Sequence, residues 1–407
     1  QIGQNEGIVY FQAIDDKSNC VGVYFDGHLV FDEDKMPKSF ANGKTWKYSG
    51  SITDESVKYG WLVSEGKNLS EVCPDHLKDK LTKQQKKMHA FKRSFEIAKI
   101  DFRQHCFFDL VPHDFLKEFL DVKNQITQHV FENNEIPPTY EHLAAVEKLL
   151  YKIRYRELEV NVKDCRGIMA NYNFRTAANK ILNNSKYIDY NLFGTATGRL
   201  STYPGSFPIL TMKKELRMLV KPRNDWFLSL DYNGAEARTV LGLLGAEQPD
   251  YDVHEWNLNN VITNNVNNRE DAKKTFFSWL YNPDSNVIQD SIYDRDALLE
   301  RFYVDGHIET IFGRKIKVDK YKALNYIIQS TTADLVNDRA VQIDKFLDGK
   351  KSFVSHIVHD EVVIDLHDED RALVPDIESL FSNNKIGKYK TNLKAAKNYY
   401  DLEVLNI

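Results

Sequence analysis

The sequence predicts a mixed α+β protein. Three observations carry that reading. The C-terminal half holds short apolar runs bounded by turn residues, such as 226–230 and the pair 353–358 and 361–366. Between 114 and 156, apolar residues recur at three- and four-residue spacing, as in Phe115, Phe119, Val122, Ile126 and Val130, which is a helical stripe. From Tyr187 onward, strand-like and helix-like segments alternate.

Composition narrows the class. The 407 residues are 42% hydrophobic and 28% charged, which excludes a collagen or a disordered chain and implies two to four domains or subdomains. No apolar run approaches the roughly 20 residues of a membrane span. The opening QIGQNEG lacks a signal peptide's basic and apolar regions, so a cytoplasmic location is expected. Cys20, Cys73, Cys106 and Cys165 are scattered without a CxxC pair, which reads as reduced thiols and no zinc site. The net charge of −5 argues mildly against a nucleic-acid partner. That average hides unlike stretches, because residues 152–199 carry nine cations against four acids.

In chain order, residues 8–11, 21–25 and 29–31 read as strands, the last two joined by the turn pair Asp26-Gly27. Residues 70–103 turn helical and basic, with Lys78, Lys80, Lys83, Lys86, Lys87, Lys92, Arg93 and Lys99 against Asp79 and Glu96. A solvated face and a phosphate contact both fit that run. Two long helices follow, separated by the break Glu135-Ile136-Pro137-Pro138. Further on, the sequence predicts a turn at 222–225 and a helix over 267–281 stopped at Asn282-Pro283. A long helix over 320–346 and a hairpin over 352–366 complete the pattern.

Three segments carry chemistry. In LSLDYNGAEAR, Asp231 leaves a buried strand, where it either displays a carboxylate or caps the helix that begins near Ala235. In FVSHIVHDEVVIDL, His359-Asp360 has the spacing of a two-residue hairpin turn, so Asp360 is either an ordinary polar turn residue or a second carboxylate beside Asp231. Two such carboxylates make a hard oxygen site suited to Mg²⁺. In NREDAKKTFFSWLYNP, Arg269, Lys273, Phe277 and Tyr281 recur every four residues and share a helix face. Two cations suit a triphosphate and two rings suit a base or sugar; an amphipathic helix with a basic end is the plainer alternative.

At these residues the sequence resembles the family A DNA polymerases, the relatives of bacterial DNA polymerase I and its phage counterparts. LSLDYNGAEAR resembles motif A (DYSQIELR), the 269–281 helix resembles motif B (RxxxKxxxFGxxYG), and IVHDEVV resembles motif C. TATGRLS at 195–201, Asp252-Val253-His254, GHIETIFGR at 306–314 and NYIIQSTTAD at 325–334 resemble four further segments in the family's order. The resemblance implies a right-hand fold with an antiparallel-sheet palm and helical fingers and thumb. It sets a thumb at 106–160, palm at 161–249 and 306–407, and fingers at 250–305. Residues 1–105 become a small N-terminal α/β region, either a truncated or degenerate exonuclease-like part or an accessory module.

The resemblance also implies roles. Asp231 and Asp360 would bind two Mg²⁺, with the Tyr232 carbonyl as a further ligand. Arg269 and Lys273 would hold the incoming dNTP, and Lys273 would protonate the leaving pyrophosphate. His254 would lie near the β-phosphate, and Phe277 would pack on the deoxyribose. Glu236 with Tyr281 would exclude a 2′-hydroxyl. Arg199, Asn325, Gln329 and His359 would touch primer-template DNA, largely in its minor groove. Glu361 would support the metal site.

The sequence departs from the family pattern at Phe276, Ser278 and Asn282 in motif B, at Gly234 and Ala235 in motif A, and at Tyr321 and 206–210. These departures fit a divergent, phage-type member working in a host cytoplasm. The N-terminal stretch offers Ala13-Ile14-Asp15-Asp16-Lys17 and Asp32-Glu33-Asp34, neither of which matches the Asp-x-Glu of a 3′–5′ exonuclease. No exonuclease site is expected, and proofreading or processivity would then come from a separate partner. Two other readings compete with a DNA polymerase. One is a single-subunit RNA polymerase or reverse transcriptase, disfavoured by Glu236 beside Tyr281. The other is a catalytically inactive polymerase-like DNA-binding protein, disfavoured by the presence of Asp231, Asp360, Arg269 and Lys273.

Overall fold

A computed structural model describes residues 9–11, 23–25, 28–30, 57–100, 110–163, 166–262, 266–288 and 292–405. The chain divides into two compact units, residues 1–151 and 152–407. The first opens with strands β1 (Val9–Phe11), β2 (Val23–Phe25), β3 (His28–Val30) and β4 (Val57–Tyr59), in sheet order β3-β2-β1-β4. The Asp26-Gly27 turn, residues 13–17 and 32–34, and Cys20, Cys106 and Cys165 lie outside the described residues. After two one-turn helices over Gly60–Val63 and Leu69–Val72 come the long helices α1 (Lys78–Ile97), α2 (His113–Asn133) and α3 (Tyr140–Arg154). Helix α1 buries Leu81, Gln84 and Met88 at three- and four-residue spacing and packs on α2, where Gln84 donates to Glu118 at 2.7 Å. Its lysines point outward and are exposed. Pro137-Pro138 separates α2 from α3, because proline cannot continue a hydrogen-bonded turn.

The second unit is built around one antiparallel sheet and one long helix. After short elements that include a helix over Tyr172–Asn183, its main elements are β5 (Trp226–Tyr232), α4 (Ala235–Leu243), α5 (Val253–Asn260), α6 (Arg269–Tyr281) and α7 (Arg295–Phe302). A three-stranded sheet of β6 (Tyr303–Val304), β7 (His307–Glu309) and β8 (Lys315–Lys317) leads into α8 (Lys320–Phe346). Then come β9 (Phe353–Val358), β10 (Glu361–Leu366), α9 (Val374–Ser382), β11 (Thr391–Ala396) and β12 (Glu403–Val404). The main sheet runs β9-β10-β5-β11-β12, antiparallel throughout.

Strand alternation assigns the two faces of this sheet. Leu228, Leu230 and Tyr232 of β5 point to the helix layer, where the Tyr232 ring stacks on Phe381 of α9 with centroids 4.3 Å apart. Burying each such large apolar side chain contributes about 1.5–3 kcal/mol. Phe227, Ser229 and Asp231 therefore point to the opposite face. The 27 residues of α8 span about 40 Å. Its middle is buried all round, and the small residues Ser330, Thr331, Thr332 and Ala333 let α4 approach closely, with Thr239 and Thr332 hydroxyls 2.9 Å apart. A second core joins α4 through α8, centred on Phe276, Trp279, Tyr293 and Leu298. Among the described residues, no helix is long and apolar enough to cross a membrane.

Candidate active site

The hairpin β9–β10 turns through His359 and Asp360, because Val358 pairs with Glu361. His359 takes a φ of +53°, a left-handed value that costs a non-glycine residue about 1–3 kcal/mol. Next door, Glu361 pairs with Asp231 and Asp231 with Asn392. Residues directly opposite share a face, so Asp231, Glu361 and Asn392 form one polar row, with Ser229 and Lys394 in the next. Asp360 stands at the end of that row on the hairpin turn.

The electrostatics of the two aspartates are distinctive. Both are partly accessible at the surface yet set deep among protein atoms. Burial pushes Asp231 up to about 6, against its hydrogen bond from Asn392 and with the Glu361 charge adding to the rise. Burial and then the Glu236 charge push Asp360 up to about 7, with Arg199 opposing and Asp231 adding. Asn392 donates to Asp231 at 3.3 Å, and no lysine or arginine among the described residues pairs with either carboxylate. Glu361 is committed elsewhere: Ser229 donates to one oxygen and the Tyr399 hydroxyl to the other at 2.7 Å. Among the described residues, no group of three or more His, Cys, Asp or Glu side chains could hold a metal ion. The donor set is therefore two desolvated carboxylates. That set fits Mg²⁺, which keeps its waters and takes one or two carboxylates together with substrate phosphates. Tyr232 buries its ring on the other face and donates its hydroxyl to the Phe381 carbonyl at 2.7 Å, so only its carbonyl could serve an ion.

Helix α6 begins at an Asn268 cap whose side chain accepts from the Asp271 N–H. It carries Arg269, Lys273, Phe277 and Tyr281 down one side. Phe277 and Tyr281 stack nearly parallel, with centroids 5.7 Å apart. Burial first and the Glu236 charge second raise the pKa of the Tyr281 hydroxyl, with Gln329 of α8 opposing. Lys273 is exposed. Arg269 is held by Asp252 at 2.8 Å and by Glu270 at 2.6 Å.

His254 is 3% exposed, and burial pushes it down to about 4, so its ring is neutral at pH 7 with a buried, unpartnered Nδ1. It packs near Gly234, where a Cβ would lie 3.3 Å from Nε2 and 2.3 Å from a Val253 methyl. Gly234 also has φ +65°, so glycine suits this position twice over. The departure at Phe276 has a similar cause: its ring is fully buried beside Trp279, Tyr293 and His254.

Arg199 reaches Glu236 at 3.2 Å, so this cation pairs inside the protein with the carboxylate expected to guard the sugar. Beneath it, Gly198 lies on the Arg314 guanidinium, which a Cβ would meet at 2.5 Å. Arg314 in turn makes a buried two-point ion pair with Asp334 at 2.9 and 2.7 Å. Asn325 and Gln329 lie one turn apart on α8, and the Asn325 Oδ1 is buried without a partner. His359 is exposed at the hairpin turn, and burial of its ring environment lowers its pKa. Sequence reasoning marked Glu361, and Asp252 only as part of a motif; it missed Asn233, Asn392 and the Ser229 and Tyr399 partners of Glu361. The missed signals are tertiary, whereas an N-cap reading of Asp252-Val253-His254-Glu255 would have marked Asp252 itself.

The comparisons bear on the fold. No protein-family model matches the chain, and no curated protein matches it. Among solved structures, the polymerase domain of Pol1 from M. smegmatis, in complex with a DNA primer-template and dNTP, superposes with a TM-score of 0.51. The match has 13% sequence identity and covers 70% of this chain and 74% of that one. This chain's fold resembles a polymerase domain. At that identity the likeness concerns the fold, and the chemistry rests on the side chains described above.

Proposed function

We propose that the chain is a template-directed DNA polymerase of the family A type, adding dNTPs to a primer 3′ end by two-metal nucleotidyl transfer. The observation that carries this reading is the meeting of Asp231 and Asp360 at one end of the sheet, both desolvated and neither paired with a cation among the described residues. The polymerase-like fold supports it, and so does the face of α6 that carries Arg269, Lys273, Phe277 and Tyr281.

In this reading Asp231, Asp360 and the Tyr232 carbonyl would hold two Mg²⁺, whose chemistry is to stabilise the attacking and leaving oxygens of an in-line displacement. Arg269 and Lys273 bind the triphosphate, and neutral His254 donates a hydrogen bond near it. Lys273 hands a proton to the departing pyrophosphate. Phe277 and Tyr281 form a flat stacked wall for the sugar and base. Glu236, already paired with Arg199, leaves no partner for a 2′-hydroxyl, so a ribonucleotide would bury an unsatisfied group. Arg199, Asn325, Gln329 and His359 face primer-template DNA. Positioning and charge stabilisation supply most of the rate.

A primer-extension gel tests this directly, with lanes of dNTPs, rNTPs, and dNTPs plus EDTA. The expected result is extension by dNTPs only, abolished by EDTA and by Asp231→Ala or Asp360→Ala, with primer-template binding nearly unchanged in both variants. Full activity in either variant would refute the metal assignment.

A further inference from the structure

A chain of hydrogen bonds, buried at its start and part-buried toward its end, runs from the exit of β5 to the start of α6. Arg238 is fully buried, yet among the described residues its guanidinium pairs with no carboxylate. It donates to the backbone carbonyls of Asn233 and Pro249 at 2.7 Å, to that of Tyr251 at 2.7 Å, and to Asn233 Oδ1 at 3.3 Å. This fixes the connection between α4 and α5 against the strand exit. The Asn233 amide is used at both ends: Oδ1 accepts from the Val253 N–H at 3.0 Å, and Nδ2 donates to Asp252 Oδ2 at 2.8 Å. That same Oδ2 accepts from Arg269 at 2.8 Å. The other oxygen, Asp252 Oδ1, caps α5 by accepting from the His254 and Glu255 N–H groups. Asp252 is accordingly held well below the usual carboxylate range, its burial outweighed by hydrogen bonds from Arg269, Asn233 and the Glu255 N–H.

The two oxygens of Asp252 thus have separate duties. One ends a helix, and the other joins Asn233 to Arg269. Asn233 is only two residues beyond Asp231. We infer that Asn233 and Asp252 are positioning residues that set the Arg269 guanidinium at a fixed place relative to the Asp231 carboxylate. This rests on the reading of Arg269 as a triphosphate contact and deepens it. A free arginine on an exposed helix end samples many rotamers, and the bond to Asp252 at one guanidinium nitrogen, with Glu270 at another, removes most of them before a ligand arrives.

The division of labour within Asp252 supplies the test. Asp252→Asn keeps an oxygen for the cap, where asparagine serves as well as aspartate. It replaces the other oxygen with an NH₂ that faces two donors, Arg269 and the Asn233 amide. Asn233→Asp replaces the donor nitrogen with an oxygen and keeps Oδ1 for the Val253 N–H and Arg238. Both variants should melt near the native temperature and raise the dNTP KM about tenfold or more, with kcat changed less. In Arg269→Ala, adding Asp252→Asn should raise KM less than twofold further, because the anchor then has nothing to hold. An unchanged KM in Asp252→Asn, or full multiplication of the two effects, would overturn the inference. Inorganic tripolyphosphate binding by calorimetry reads the anchor without the reaction. A tenfold loss in Asp252→Asn supports it, and equal affinity or no binding by the native chain overturns it. A native chain that fails to extend a primer but shows this loss would sink the polymerase reading and leave the anchor standing.

Discussion

The Arg314–Asp334 pair should be the most sensitive electrostatic contact in the second unit. Asp334 is fully buried, the Arg314 side chain is 9% exposed, and the two are joined by two parallel hydrogen bonds. Asp334→Asn keeps the volume but strips the charge and turns one acceptor into a donor. Breaking a buried pair from one side costs about 3–5 kcal/mol, because the remaining charge has left water without a partner. For a unit of about 250 residues, each kcal/mol moves Tm by about 2–4 °C, so the expected drop is about 6–20 °C. Differential scanning calorimetry and urea midpoints read it. The double variant Arg314→Met/Asp334→Leu should recover most of the loss, since well-packed apolar groups replace such pairs at little cost. A melt of Asp334→Asn within 2 °C of the native chain, or a double variant no more stable than the single, would refute the reasoning. Because Gly198 rests on the guanidinium, the single variant should also loosen residues 195–199 to proteolysis before the global melt.

Three further outcomes are expected. Glu236→Ala should admit ribonucleotides, raising the rNTP-to-dNTP ratio of kcat/KM by about tenfold or more, and an unchanged ratio would clear Glu236 of that role. Native chain should use dideoxynucleotides poorly because Phe277 lacks a hydroxyl. Phe277→Tyr should improve their use by about fivefold or more, the worth of roughly one hydrogen bond, and equal use of both nucleotide types by the native chain would contradict this. His356 is fully buried, and burial followed by the Arg217 charge pushes it from 6.5 down to about 3. Between those values the unfolded chain binds one proton more, so stability is full above pH 6.5 and declines toward pH 3, by about 2 kcal/mol at pH 5. Urea midpoints at pH 7 and pH 5 should differ by that much more in the native chain than in His356→Asn, and identical slopes would exclude the histidine.

The parts legible in the sequence were those with a local cause. Helix α8 runs from 320 to 346, and α6 ends at Tyr281 because Asn282-Pro283 stops a helix within a turn. The β9–β10 hairpin follows from two β-rich runs two residues apart. Strand β11 was not legible: Leu393-Lys394-Ala395-Ala396 favours a helix by propensity, and pairing with β5 overrides it. Asn392, the donor to Asp231, was lost with it. The basic stretch 152–199 also reads differently once folded. Lys152 pairs with Asp344, Arg154 with Asp189 and Arg199 with Glu236, while Arg156 covers the Phe353 ring and donates to the Val354 carbonyl. Four of its nine cations therefore hold the unit together. Charge counted along a chain cannot separate such ties from a surface that waits for phosphate.

The departures from the family motifs bear on whether the site is intact. Scattered decay would place unrelated substitutions around a collapsed centre. Here Gly234 makes room for Val253 and His254, and His254 packs against Phe276, whose ring fills the core with Trp279 and Tyr293. These changes form one contiguous packing solution behind the site. On its open side lie Asp231, Asp360, Glu236, Arg269 and Lys273, the residue types that the proposed reaction would use. Two neighbouring carboxylates raised by burial destabilise the fold unless something draws on them. An inactive DNA-binding protein would have no use for holding them there, so Asp231→Ala and Asp360→Ala decide between the two readings.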